Sequence, residues 1–255
     1  MTDLLTNLVR NAERLSAAGH YDVEGAPRPG PGLSAALTRH HAFPIIAEVK
    51  LASPSKGKLT AHRPDALIDS YVESGAAGLS VLTEPERFLG SLETLRTATG
   101  RGTAVLMKDF VVSERQVEAA AALGAGTVLL IQEVFDIVPR SRRDELIGRA
   151  RELGLEVLLE AGSESALGAA ADSGADLLGI NQRDLRTFSV DRGKGARLLP
   201  AALASGRPVV VMSGIEGRAA VEEVRDLGGS GVLVGSSLVA SKDPAAALRM
   251  LEVPR

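Results

Sequence analysis

Apolar residues along this chain gather into eight short runs, separated by longer segments that alternate greasy and charged faces. The runs are Pro44–Lys50 (PIIAEVK), Ala77–Thr83 (AGLSVLT), Thr103–Lys108 (TAVLMK), Thr127–Gln132 (TVLLIQ), Glu156–Ala161 (EVLLEA), Asp176–Asn181 (DLLGIN), Pro208–Ser213 (PVVVMS) and Gly231–Ser236 (GVLVGS). Each is short and rich in β-branched residues, which predicts a strand buried on both faces. Between them, Glu114–Leu123, Arg142–Leu153, Glu164–Ser173 and Arg218–Leu227 put Ala and Leu on one helical face and charge on the other. Gly75, Gly124, Gly154, Gly174 and Gly228 stand where such helices should stop. A strand therefore recurs every roughly 20–33 residues with a helix between, a spacing that requires parallel pairing and right-handed crossovers. Eight such units close into a (β/α)8 TIM barrel. A doubly wound open sheet is the alternative, and the absence of GxGxxG after the first strand argues against it.

Residues 44–255 are read as the barrel, and residues 1–43 as an N-terminal helical extension of the same single domain. Met1–Ala18 has the pattern of an amphipathic helix, Glu24–Gly32 (EGAPRPGPG) of a linker, and Leu33–His41 of a short helix. The pattern leaves open whether these pieces cap the barrel floor or cross its top.

Composition narrows the class. The 255 residues suit one TIM barrel, and with 45% apolar but only 3% aromatic residues the core must be built from Val, Leu, Ile and Ala. The net charge of −3 comes from 29 basic and 32 acidic residues, intermixed, with no basic footprint for nucleic acid. Cysteine is absent, which excludes disulfides and thiolate metal sites. The opening MTDLLTNLVRNAERL carries charge throughout, unlike a signal peptide, and no apolar run is long enough to span a membrane. These features predict a cytoplasmic enzyme that engages neither nucleic acid nor membrane.

In a TIM barrel the chemistry sits where strands end. Here the first strand ends in Glu48 and Lys50, on one side of the strand, the third in Lys108, the fifth in Glu160, and the sixth in Asn181 followed by Arg183. The last two strands end differently, in Met212-Ser213-Gly214 and Gly235-Ser236-Ser237. Small residues let backbone N–H groups approach an anion, and the loops after strands seven and eight form a recurrent phosphate site. Gly214, Gly235 and Ser236 are the candidate phosphate donors, with Lys50 as countercharge. Phe88, Phe110, Leu130, Leu185 and Ile215 lie near these ends and suit a flat aromatic moiety. The four histidines, 20, 40, 41 and 62, fall outside the strands, so no metal cluster is expected. No nucleophile elbow is present either, which leaves lysines and carboxylates to move protons.

The motifs IAEVKLASPSKG (46–57), LSVLTEPERFLGSLETL (79–95), LMKDFVVSERQV (106–117), GINQRDLRTF (179–188), SGI (213–215) and LVGSSLV (233–239) resemble indole-3-glycerol phosphate synthases of tryptophan biosynthesis. The resemblance runs over about residues 43–252. It implies ring closure, decarboxylation and dehydration of 1-(2-carboxyphenylamino)-1-deoxyribulose 5-phosphate, without cofactor or metal, by a monomer or homodimer. On this reading Lys108 is the general acid, its pKa expected to be lowered by burial and a cationic neighbour. Lys50 stabilises negative charge, Glu160 serves the dehydration, Glu48 balances the lysines, and Asn181 bonds a substrate hydroxyl or Glu160. Arg183 and Ser53 suit the anthranilate carboxylate, and Ser213 is a further expected substrate contact. Two positions depart from the family pattern: Met212 stands where Glu is usual, and Glu160-Ala161-Gly162 replaces Glu-x-His. The N-terminal segment also lacks clear matches to the usual lead-in. Met212 motivates the alternative of a divergent relative acting on a modified anthranilate. A non-catalytic phosphate-binding barrel is the alternative outside enzymes.

Overall fold

The computed structural model describes residues 3–255. Its eight barrel strands are β1 (Ile45–Val49), β2 (Gly78–Leu82), β3 (Val105–Lys108), β4 (Thr127–Ile131), β5 (Glu156–Ala161), β6 (Leu177–Asn181), β7 (Val209–Met212) and β8 (Gly231–Val234). Each lies within two residues of its expected bounds. All pairings are parallel, each strand bonds its sequence neighbours, and β8 closes on β1 through Ile45↔Val232 and Ala47↔Val234. The helices are α1 (Leu4–Ala17), α2 (Leu33–Arg39), α3 (Pro64–Glu73), α4 (Leu92–Thr99), α5 (Glu114–Ala122), α6 (Ser141–Glu152), α7 (Glu164–Ala171), α8 (Lys194–Leu203), α9 (Arg218–Asp226), α10 (Ser236–Val239) and α11 (Pro244–Leu251). Of the five expected helix-stop glycines, Gly75, Gly124, Gly154 and Gly228 have positive φ and Gly174 does not.

Strand parity sorts the core into two layers. Ile46, Leu106, Leu129, Leu158, Leu177, Val210 and Leu233 point into the barrel, while their neighbours Ala47, Val128, Leu130, Val157 and Val232 pack beneath the surrounding helices. This places Leu130 away from the barrel interior and corrects its expected role as a substrate contact. Leu129 and Ile131, on the opposite parity, face the barrel mouth instead.

The extension does both things that its sequence left open. Helix α1 lies over the mouth: Leu5, Leu8, Val9 and Ala12 pack with Leu82, Phe88, Phe110 and Val112. Its Asn11 Nδ2 donates to Glu84 Oε1 at 3.0 Å, and Tyr21 OH donates to Asp109 Oδ2 at 2.9 Å. Met1 and Thr2, the first residues of the expected helix, lie outside the described residues. Helix α2 plugs the floor. The Cδ2 atoms of Leu33 and Leu37 sit 2.9 Å from where a Cβ would stand on Gly78 and Gly231, the first residues of β2 and β8.

Between the two, the linker runs down the outside of the barrel. Arg28 N–H donates to Ala121 O at 2.9 Å, and Gly30 N–H to Gly124 O at 3.2 Å. It passes so close to Gly126 that a Cβ there would run into the Pro31 carbonyl. Gly126→Ala is therefore expected to destabilise the fold by about 1–3 kcal/mol through overpacking against rigid backbone. Urea unfolding measures this, and an unchanged midpoint would show that the linker is not held there.

Candidate active site

Inward parity brings the polar strand ends to one place. Glu48 and Ile46 share a face of β1, Lys108 and Leu106 of β3, Glu160 and Leu158 of β5, and Asn181 and Leu177 of β6. They line a cavity of about 440 Å³ at the mouth of the barrel. Its residues come from every side. Lys50 and Ser53 follow β1, Phe88 follows β2, Phe110 follows β3, Arg183 and Leu185 follow β6, Ser213, Gly214 and Ile215 follow β7, and Gly235 and Ser236 follow β8. Of the residues expected at the site, Leu130 alone is absent from this lining.

Glu48 is the hub. Its side chain is 4% exposed, beneath Lys50 at 14% and Lys108 at 17%, so the two ammonium groups present more surface to the cavity than the carboxylate does. One oxygen pairs with Lys50 and the other with Lys108 Nζ at 3.2 Å. Gly235 makes room, since a Cβ there would strike the Glu48 carboxylate. Burial pushes the Glu48 pKa up, but Lys50 and Lys108 outweigh it and hold it at about 2.

Lys108 also lies 3.8 Å from Glu160 Oε2. Burial alone would lower its pKa, but Glu48 and Glu160 reverse that, and the net shift is upward. The expected downward shift is thus overturned, because two carboxylates outweigh burial and the Arg183 charge together. An ammonium that stays protonated at neutral pH is what a proton donor requires.

Glu160 moves the other way from Glu48. Burial raises it, Lys108 and an Asn181 Nδ2 donor at 2.6 Å pull it down, Glu48 pushes it up again, and it ends above the ordinary range. Its Oε2 is buried and has no hydrogen-bond partner among the described residues. A carboxylate oxygen in that state is poised to take a proton. Asn181 is fixed in turn, its Oδ1 accepting from the Arg183 N–H at 2.9 Å.

The rest of the cavity is lined by aromatic side chains, a guanidinium and glycine-rich loops. Phe88 and Phe110 stand with ring centroids 6.0 Å apart. Arg183 donates from Nη1 to the Phe188 carbonyl at 2.7 Å and lies 5.8 Å from that ring's centroid. Burial pulls the Arg183 pKa down, with Glu48 opposing, yet a guanidinium remains cationic. In the loops after β7 and β8, the N–H groups of Gly214, Gly235 and Ser236 reach no backbone carbonyl among the described residues. Met212 is fully buried, its Sδ 3.8 Å from Lys108 Nζ and its Cε filling the space left by Gly179.

Several residues of the site escaped sequence reasoning. Leu129 and Ile131 were discoverable from strand parity. Asp109 was not. It is buried beside Lys108, accepts from Tyr21, Thr83 and the Phe110 N–H, and burial pushes its pKa up to about 6. Phe188 and Gln182 lie in a loop whose path no local pattern revealed. Among the described residues no group of three His, Cys, Asp or Glu is placed to hold a metal, and no helix is long and apolar enough to cross a membrane.

A closed eight-stranded barrel with two lysines and two carboxylates gathered at its mouth defines a TIM-barrel enzyme site. The chain matches the family model described as indole-3-glycerol phosphate synthase over residues 7–251. It is 38% identical to indole-3-glycerol phosphate synthase 2 of Streptomyces coelicolor, with 98% of this chain and 99% of that one covered. It is 41% identical to the indole-3-glycerol phosphate synthase of Chromobacterium violaceum, over 98% of each chain. The chain belongs to the indole-3-glycerol phosphate synthase family. The match from residue 7 takes in most of α1, so the lead-in that looked atypical by motif belongs to the family pattern. A solved structure described as native KDPGal shares the barrel at a TM-score of 0.56 and 18% identity, covering 81% of this chain and 93% of that one.

Proposed function

We propose that the chain converts 1-(2-carboxyphenylamino)-1-deoxyribulose 5-phosphate to indole-3-glycerol phosphate, CO2 and water, with Lys108 as the first proton donor. The observation that carries this reading is the Lys108 ammonium held between Glu48 at 3.2 Å and Glu160 at 3.8 Å, at the inner wall of the cavity.

The chemistry follows from those positions. The aryl carbon bearing the carboxylate attacks the ketone, and the oxygen that becomes a hydroxyl must receive a proton, which Lys108 supplies. Loss of CO2 returns the bonding pair to the ring and restores aromaticity. Dehydration then needs an acid for the departing hydroxyl and a base for the proton left behind. Glu160, raised above its ordinary range and with a free buried oxygen, is assigned the base. Lys50 neutralises charge and is available as the second acid. Ser53 and Arg183 are assigned to the substrate carboxylate, the Phe88–Phe110 wall to the aryl ring, and Gly214, Gly235 and Ser236 with Lys50 to the phosphate.

Mixing purified protein with this substrate is expected to produce indole-3-glycerol phosphate fluorescence. Silence from well-folded protein would overturn the reading. Met212→Glu should run alongside. Met212 offers Lys108 a thioether, a weak acceptor, and this favours the second reading, a substrate bearing a modified anthranilate. If only Met212→Glu turns over the standard substrate, that second reading holds.

A further inference from the structure

The loop after β7 opens with two residues in the left-handed region, Ser213 at φ 66° and Gly214 at φ 72°. Glycine takes that conformation freely, but serine meets a steric penalty there. Backbone in such a state persists only where its surroundings hold it.

The holder is Gln182, directly after β6 and 3% exposed. Its Nε2 donates to the Ser213 carbonyl at 2.7 Å. Its Oε1 accepts from the Gly195 N–H at 3.1 Å, in the first turn of α8. Its own N–H donates to Met212 O at 3.0 Å, and its carbonyl accepts from the Asp191 N–H at 2.9 Å. One buried amide therefore bolts the β7 loop to the start of α8. Val190, itself part of the cavity lining, closes in so far that a Cβ on Gly214 would lie 2.8 Å from its Cγ1.

Peptide geometry gives this a consequence. In a trans peptide the C=O and the following N–H point in opposite directions. Gripping the Ser213 carbonyl from the protein side thus turns the Gly214 N–H away from Gln182. That N–H reaches no backbone acceptor among the described residues, and Gly214 lines the cavity. We propose that Gln182 is a positioning residue for the substrate's phosphate: by holding Ser213 left-handed it aims the Gly214 N–H into the anion cradle without touching substrate. The inference rests on reading this rim as the phosphate site.

Gln182→Glu is the discriminating variant. It keeps the stem and the acceptor for Gly195, and sets an acceptor against the Ser213 carbonyl. KM is expected to rise about tenfold, and competitive inhibition by inorganic phosphate to weaken in proportion, with kcat little changed. Adding Ser213→Gly, read by inorganic phosphate alone because Ser213 is itself an expected substrate contact, removes the steric penalty and should recover most of the lost inhibition. A purely structural Gln182 would lower thermal stability and leave both constants alone, which would overturn the proposal. If inorganic phosphate fails to compete even with the wild type, the phosphate reading itself fails. Should the Glu variant not fold, Gln182→Met, which fills the space without hydrogen bonds, is read by the same two constants.

Discussion

Lys108→Ala is expected to cut kcat by on the order of a thousandfold while leaving KM within a few fold. Removing a positioned general acid costs about 10²–10⁴ in rate, and here no second donor stands between both carboxylates. Lys50 is paired with Glu48 on its other oxygen and does not bridge to Glu160. Binding should survive, because the aromatic wall and the anion cradle lie elsewhere in the cavity. The fold should survive as well, since Glu48 keeps Lys50. Lys108→Arg is not expected to rescue turnover, as a guanidinium does not release a proton near neutral pH. Single-turnover kinetics separate the steps. A variant that keeps more than about a tenth of wild-type kcat would remove Lys108 from the donor role.

The second large effect belongs to Glu48→Gln. Glu48 is the buried counterion of two lysines, and deleting one member of a buried cluster costs roughly 3–5 kcal/mol when the partners stay buried. Lys50 and Lys108 retain some access to the cavity, so the loss belongs at the lower end of that range. The pH dependence is more telling. Glu48 has its pKa held at about 2, against an ordinary value of 4.5. Its stabilisation is therefore complete above pH 4.5 and lost as pH falls towards 2, a difference of roughly 3 kcal/mol. In Glu48→Gln this acid limb of stability should flatten. The rate profile should move too. A proton donor is lost as pH rises through its pKa, and without Glu48 burial pulls Lys108 down. The alkaline limb of kcat is then expected at lower pH than in wild type. Acid titration of unfolding together with the kcat profile checks both, and an unmoved alkaline limb would uncouple Glu48 from Lys108.

The strands were legible because buried parallel strands announce themselves as apolar runs with charged ends, and that pattern does not depend on distant contacts. The same holds for Glu48, Lys108, Glu160 and Asn181, each closing a run on the inward parity. Leu130 was misplaced because proximity in sequence to a mouth residue says nothing about parity. The direction of the Lys108 shift was misjudged because the contribution of Glu160 depends on a gap across the barrel, 3.8 Å, that no spacing encodes. Gln182, Asp109 and Phe188 were missed for a related reason. Their roles come from hydrogen bonds between loops, such as Tyr21 to Asp109, and not from a periodic signal. The course of the extension was undecided because an amphipathic helix fits floor or mouth equally well.

The wrapping of the extension leads to an expected order of assembly. Its landing sites come late in synthesis: Tyr21 waits for Asp109, Ser34 for Glu156, and Asp3 for Arg186, across 88, 122 and 183 positions. Loops of that length are slow to close before the intervening chain has compacted. The cover of the mouth is thus expected to settle only after the strands that anchor it, because every anchor lies across a long stretch of chain.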